Sequence, residues 1–184
     1  TDHVVTVSGL LPDTLYYYSV GTSNVTFAGN NSNYFFTTSP RSGSAVPTRV
    51  WVLGDSGTQT AAQFAVRDAF YSYTGTRHPD LWLMLGDNAY NSGTDAEYQG
   101  AVFNAYPNTL RNSVLWPTLG NHDTAQSTSF VDTYPYFQIF TLPKNAEAGG
   151  IASGTEHYYS FNFGNIHFVC LDSELSDRTV DGPM

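Results

Sequence analysis

The chain has 184 residues and a formal net charge of −9, with 7 Lys and Arg residues against 16 Asp and Glu residues. This acidic balance excludes nucleic acid and anionic membranes as main partners, because binding to phosphate backbones or headgroups needs a basic face. The hydrophobic share of 41% predicts a packed core. Only 12% of residues are charged, and the polar residues are mostly Tyr, Ser, Asn and Thr, so we expect a secreted, extracellular protein.

Residues 1–39 predict a small β-structured unit. Alternating side chains over residues 16–20 predict one strand, and residues 34–38 predict a second. The series of Leu, Pro, Thr and Tyr that ends at Tyr16 resembles the end of a fibronectin type III domain. In that domain a corner tyrosine, here Tyr16, bonds back to the backbone. The alternative interpretation is a plain β-hairpin appended to the next domain.

Residues 40–47 are rich in Pro, Gly and Ser and predict a linker to a second domain, residues 48–184. Apolar runs in this domain predict parallel strands joined through a helix, and a Gly-Asn turn near the end predicts a hairpin. The predicted strands are Val50–Leu53, 80–85, Val114–Thr118, 158–163 and 166–171, and the predicted helices are 60–73 and 96–104.

Both helices are expected to be amphipathic. In the first, the inward stripe is predicted to hold Ala62, Val66, Ala69, Phe70 and Tyr73. In the second, it is predicted to hold Tyr98, Val102 and Phe103. The aromatic segment 130–140 is interpreted as a packed flap, and Cys170 as a buried thiol with no disulfide partner, since it is the one cysteine of the chain.

Three predicted strands end in a glycine followed at once by oxygen or nitrogen donors. These donors are Asp55, Asp87, Tyr90, Asn121 and His122. Because ligands gather at the carboxyl ends of parallel strands, we expect the donors to meet at one edge of the sheet. Carboxylate, amide and phenolate oxygens suit hard cations. The glycines at positions 54, 57, 86 and 120 are expected to let the loops turn sharply.

The motifs Gly-Asp-x-Gly, Gly-Asp-x-x-Tyr and Gly-Asn-His-Asp occur in this order and resemble those of the calcineurin-like metallophosphoesterases. The tyrosine of the second motif points to the purple acid phosphatase branch. The resemblance implies an α/β fold of the α+β sandwich type: half of a metallophosphoesterase β-sandwich flanked by helices, preceded by a hairpin from a fibronectin-like sandwich. It also implies an enzyme that hydrolyses phosphate monoesters with a metal-bound hydroxide at a dinuclear site.

The resemblance also implies roles for the individual residues. Asp55 and Tyr90 would bind a ferric ion, Tyr90 as a phenolate, and Asp87 would bridge two metals. Asn121 would bind the second metal, which is Fe(II), Zn(II) or Mn(II) in the family. His122 would be catalytic, contacting the substrate phosphate or protonating the leaving group.

The family pattern continues with Val-x-x-His and Gly-His-x-His motifs, and neither occurs in the 184 residues. We therefore expect a chain truncated at both ends, with the missing C-terminal half or a second chain as a partner. His157 and His167 are interpreted as structural. Two alternatives remain: a non-catalytic extracellular structural or adhesion protein on the same scaffold, and a phosphodiesterase or nucleotidase. Asn-x-Ser/Thr patterns at Asn24 and Asn30 would make the protein a glycoprotein.

Overall fold

The computed structural model describes residues 3–126 and 133–182 and shows a mixed α/β protein. The N-terminal part contains two antiparallel strand pairs, β1 with β4 and β2 with β3. These strands are β1 Leu15–Tyr17, β2 Ser19–Gly21, β3 Thr26–Gly29 and β4 Phe35–Thr37. The sequence predicted only one strand on each side of a long turn. Instead the chain between β1 and β4 forms a second hairpin, because β2 pairs with β3 and not with β4.

Hydrogen bonds between side chains and backbone groups anchor the N-terminal part. The hydroxyl of Tyr16 accepts a hydrogen bond of 2.9 Å from the backbone N–H of Leu11, the contact expected of a corner tyrosine. The hydroxyl of Tyr18 donates to the carbonyl of Arg111 at 3.0 Å, and the amide of Asn112 donates to the carbonyl of Asn33 at 3.0 Å. The N-terminal strands thus lie against the following domain. The assignment to a fibronectin-like domain stays a prediction.

A parallel sheet forms the centre of the second part, in the order β5-β6-β7. Its strands are β5 Val50–Leu53, β6 Leu81–Leu85 and β7 Val114–Thr118, which confirms the predicted parallel strands. Within the described residues β5 lies at the edge of this sheet, and Val52 is 49% exposed.

The helix that follows β5 lies on one face of the sheet, where Trp51 stacks on Phe70 with ring centroids 3.7 Å apart. The helices are α1 Ala61–Thr74, α2 Asp95–Tyr98, which continues as a π-helical turn Gln99–Phe103, α3 Pro107–Leu110 and α4 Pro135–Ile139. Tyr98 and Val102 are buried as predicted, but Phe103 is 37% exposed, so its predicted inward position is wrong. None of the helices in the described ranges is long and apolar enough to cross a bilayer.

The predicted inward stripe of α1 is largely wrong. Of its five members only Phe70 is partly buried in the core, while Val66 and Tyr73 are exposed. The helix instead turns Gln63 inward, where its amide donates to the carbonyl of Ala101 at 2.7 Å. The inward face of α1 therefore combines Phe64 and Phe70, which pack on the core, with a polar contact to the segment after α2.

The opposite face of the sheet is covered near β7 by a hairpin, β8 Tyr159–Phe163 and β9 Ile166–Cys170, as predicted. Trp116 of β7 stacks on Phe161 with ring centroids 3.7 Å apart. Cys170 is partly buried beside the hydroxyl of Thr118 at 3.3 Å. In the aromatic segment, Tyr136 is fully buried and donates to the carbonyl of Pro117 at 2.9 Å. Phe130 lies outside the described residues.

Candidate metal centre

The loops that follow β5 and β6 are joined by backbone hydrogen bonds at the carboxyl edge of the sheet. The N–H of Asp55 donates to the carbonyl of Gly86 at 3.1 Å, and that of Gly57 donates to the carbonyl of Asp87 at 3.2 Å. The N–H of Tyr90 donates back to the carbonyl of Gly57 at 2.9 Å. These bonds fix the first two predicted motifs against each other.

The loop after β7 contacts the same carboxylate. The backbone N–H of His122 donates to Oδ1 of Asp87 at 3.0 Å. A Cβ atom at Gly120 would collide with the backbone nitrogen and the carboxylate of Asp87, so the two loops touch directly. Asn121 lies between these two contacts, in a turn, and is exposed. The structure therefore brings the third motif to the same place as the first two.

The side chain of Asp123 connects these loops through hydrogen bonds. Its fully buried carboxylate accepts hydrogen bonds from the backbone of Asn88 at 3.1 Å, the backbone of Gly120 at 2.9 Å and the hydroxyl of Tyr98 at 2.6 Å. Burial raises the pKa of the Asp123 carboxyl, although the hydrogen bonds oppose the shift. One acidic group thus holds two of the strand-end loops to the start of the helical segment.

Three predicted ligands meet at one hydroxyl group. The hydroxyl oxygen of Tyr90 lies 3.1 Å from Oδ1 of Asp55 and 2.8 Å from Oδ2 of Asp87. Burial, together with the two carboxylates, raises the pKa of Tyr90. Asp55 and Asp87 both have left-handed backbones, with φ of 53° and 52°. Such conformations are uncommon outside glycine and concentrate at functional sites.

His122 lies beside this group. Its ring centroid is 4.4 Å from that of Tyr90, and its Nδ1 atom lies 2.7 Å from the carbonyl oxygen of Asn91. A carbonyl only accepts hydrogen bonds, so Nδ1 carries the hydrogen. The remaining ring nitrogen, Nε2, is the atom through which His122 can exchange a proton with a ligand.

The two histidines of the hairpin region have partners outside this group. His157 is paired with Asp172 at 3.6 Å, and Nδ1 of His167 lies 2.7 Å from the side chain of Asn162. Across residues 3–126 and 133–182, no three His, Cys, Asp or Glu side chains are grouped to hold a metal ion. The donors that meet are two carboxylates and a phenol, and such oxygen donors fit a hard cation.

Sequence reasoning missed two residues next to the site. Asn91 contacts His122 through its carbonyl, and Glu97 accepts the backbone N–H of Asn91 at 2.5 Å. The sequence signal that points to Glu97 is the pattern Thr94-x-x-Glu97, which forms a capping box at the start of α2. This pattern predicts a helix start and says nothing of the loop that precedes it.

The chain is similar to known phosphoesterases. The calcineurin-like phosphoesterase family model matches residues 48–182. Purple acid phosphatase 15 of Arabidopsis thaliana is 28% identical over 97% of this chain and 36% of its own length. Purple acid phosphatase 13 of the same plant is 27% identical over 97% of this chain and 37% of its own length.

A solved structure shares the fold. The purple acid phosphatase PPD1 isolated from yellow lupin (Lupinus luteus) seeds superposes with a TM-score of 0.62 and 19% identity, over 92% of this chain and 32% of that chain. The chain spans little more than a third of the length of the curated relatives it matches. By its family match the chain belongs to the calcineurin-like phosphoesterases, and its curated relatives support the purple acid phosphatase branch.

Proposed function

We propose that this chain supplies part of the active site of a secreted enzyme that hydrolyses phosphate monoesters with a dinuclear metal centre. The observation that carries the proposal is the shared hydroxyl of Tyr90, which lies within 3.1 Å of both Asp55 and Asp87. Two carboxylates and a phenol gathered at a sheet edge repel one another when ionised, and a bound cation relieves that repulsion.

Asp55 and Tyr90 would hold a ferric ion, Asp87 would contact both metals, and Asn121 would hold the second, Fe(II), Zn(II) or Mn(II). The donor set supports this assignment, because carboxylate, phenolate and amide oxygens are hard ligands. When bound, a metal pair would supply an activated water molecule and neutralise charge on the phosphoryl group. Any further ligands would come from a C-terminal segment or a second chain.

The chain's own residues support the chemistry in two ways. Asp87 is 7% exposed and is held by the N–H of His122, so its carboxylate has a fixed orientation. In its imidazolium form, with Nδ1 donating to the carbonyl of Asn91, His122 would hold a second proton on Nε2 and deliver it to the leaving-group oxygen.

The proposal is tested by turnover of a chromogenic aryl phosphate monoester and of the matching diester by the metal-loaded protein. We expect faster hydrolysis of the monoester. We also expect His122→Ala to lower kcat about a hundredfold or more while the bound metal is retained, since a general acid contributes that order of rate. His167→Ala is the matched control, because His167 bonds to Asn162 on the hairpin.

Two results would count against the proposal. Unchanged turnover in His122→Ala removes His122 from the chemistry. Preference for the diester assigns the site to the diesterase alternative.

A further inference from the structure

Glu97 lies on α2, outside the loops that carry the candidate ligands, yet its carboxylate turns back into the preceding segment. It accepts hydrogen bonds from the backbone of Asn91 at 2.5 Å, Ser92 at 3.2 Å and Thr94 at 2.8 Å. The Thr94 hydroxyl adds a fourth at 2.8 Å. A capping box explains the contacts with Thr94. It does not explain those with Asn91 and Ser92, which order the loop between the ligand Tyr90 and the helix.

The surroundings of Glu97 stabilise the charged form of its carboxylate. Burial by itself would raise the pKa of Glu97, but the hydrogen bonds from Thr94, Asn91 and Ser92 outweigh burial and lower it. Hydrogen bonds to a charged acceptor are about twice as strong as neutral ones. The segment 91–94 is therefore held by one ionised group.

The peptide group between Asn91 and Ser92 links Glu97 to His122. A trans peptide is planar, and its N–H and C=O point in opposite directions. The N–H of this peptide, on Ser92, donates to Glu97, while its C=O, on Asn91, lies 2.7 Å from Nδ1 of His122. Chains of hydrogen bonds polarise one another, so the carboxylate makes this carbonyl a stronger acceptor.

We propose that Glu97 is a positioning residue for His122, acting through the Asn91–Ser92 peptide. It holds the imidazole in the tautomer with hydrogen on Nδ1, which presents Nε2 to the substrate. Carboxylates that orient a functional histidine directly are common; here a peptide group stands between the two. The catalytic consequence rests on the proposed function, whereas the tautomer itself does not.

The first test uses the metal-free, full-length protein and long-range ¹H–¹⁵N NMR of the histidine rings, at a pH where the rings are neutral. We expect hydrogen on Nδ1 of His122 in the wild type and a mixture of tautomers in Glu97→Gln. Glu147→Gln is the matched control, because Glu147 accepts the backbone N–H of Asn145 at 2.8 Å in another loop. Hydrogen on Nε2 in the wild type, or an unchanged tautomer in Glu97→Gln, would overturn the proposal.

The second test is a double-mutant cycle on the metal-loaded protein. We expect Glu97→Gln to lower kcat about 10- to 100-fold, the usual effect of losing such an outer partner, with KM and metal content unchanged. In a His122→Ala background Glu97→Gln should cause no further loss, because the two residues act in series. A further loss of equal size would show that Glu97 acts by another route. A wild-type protein with no phosphatase activity would reject the proposed function, and the NMR result would still decide the role of Glu97.

Discussion

Gly120 lies where the loops after β6 and β7 are too close together for any side chain. A Cβ atom there would collide with the backbone nitrogen and carboxylate of Asp87 and lie 3.0 Å from the carbonyl carbon of Gly86. The neighbouring atoms belong to backbone and to a proposed ligand, so they cannot move freely. At Gly54 there is room, because a Cβ atom would lie 3.5 Å from Cβ of Leu85. Sequence reasoning treated these glycines alike, and only the course of the loops separates them.

We expect Gly120→Ala to lower the free energy of unfolding by about 1–3 kcal/mol, the usual effect of overpacking. The substitution should also push the loop after β7 away from Asp87 and reduce metal content. Urea denaturation and metal analysis measure the two effects. Gly54→Ala is the matched control and should change stability by less than about 0.5 kcal/mol. Equal effects of the two substitutions would show that the contact between the loops is loose.

At the scale of elements, the strand ends were predictable and the buried face of α1 was not. The strands β5, β6 and β7 follow from short apolar runs, and their order along the chain places their loops at one edge. In α1 the apolar residues suggested one stripe, but Gln63, whose amide bonds to a carbonyl beyond α2, lies on the buried face. The link from Glu97 to His122 depends on the course of a loop, which periodicity does not encode.

The hairpin of β8 and β9 is closed at its base by Asp172. This fully buried carboxylate accepts the backbone N–H of Glu174 at 2.8 Å and the hydroxyl of Ser176 at 2.7 Å, and it pairs with His157 at 3.6 Å. Burial alone would raise the pKa of Asp172, but the contact with His157 and the hydrogen bonds outweigh it and hold the pKa well below its ordinary value.

Because the pKa of Asp172 is lower in the folded protein than in the unfolded chain, its contacts stabilise the fold above about pH 4 and weaken below it. We expect Asp172→Asn to lower the free energy of unfolding by about 1–3 kcal/mol at pH 7. We also expect it to flatten the loss of stability between about pH 5 and pH 2, the range in which such a group titrates. Urea denaturation at several pH values measures both. Asp181→Asn, which changes an exposed carboxylate in the same segment, is the control, and an unchanged acid dependence in Asp172→Asn would contradict the account.

At the scale of the whole molecule, apolar side chains remain exposed on the sheet face opposite α1. Val52 is 49% and Leu85 is 57% exposed, beyond the part that the hairpin covers. The curated relatives are almost three times as long as this chain, which spans 36% and 37% of them. A C-terminal half or a second chain against this face therefore stays a prediction, as does the fibronectin-like origin of residues 1–39.

The central claim is that Asp55, Asp87, Tyr90 and Asn121 bind metal, and metal content in Asp87→Ala tests it most directly. The protein is loaded with iron and zinc, freed of excess metal and measured by mass spectrometry. Asp80→Ala is the control, because Asp80 precedes β6 at the opposite end of the strand. Its carboxylate accepts a hydrogen bond from the backbone N–H of Arg49. We expect the wild type and Asp80→Ala to retain metal and Asp87→Ala to lose it. Full metal occupancy in Asp87→Ala, or a wild type that binds none, would contradict the claim.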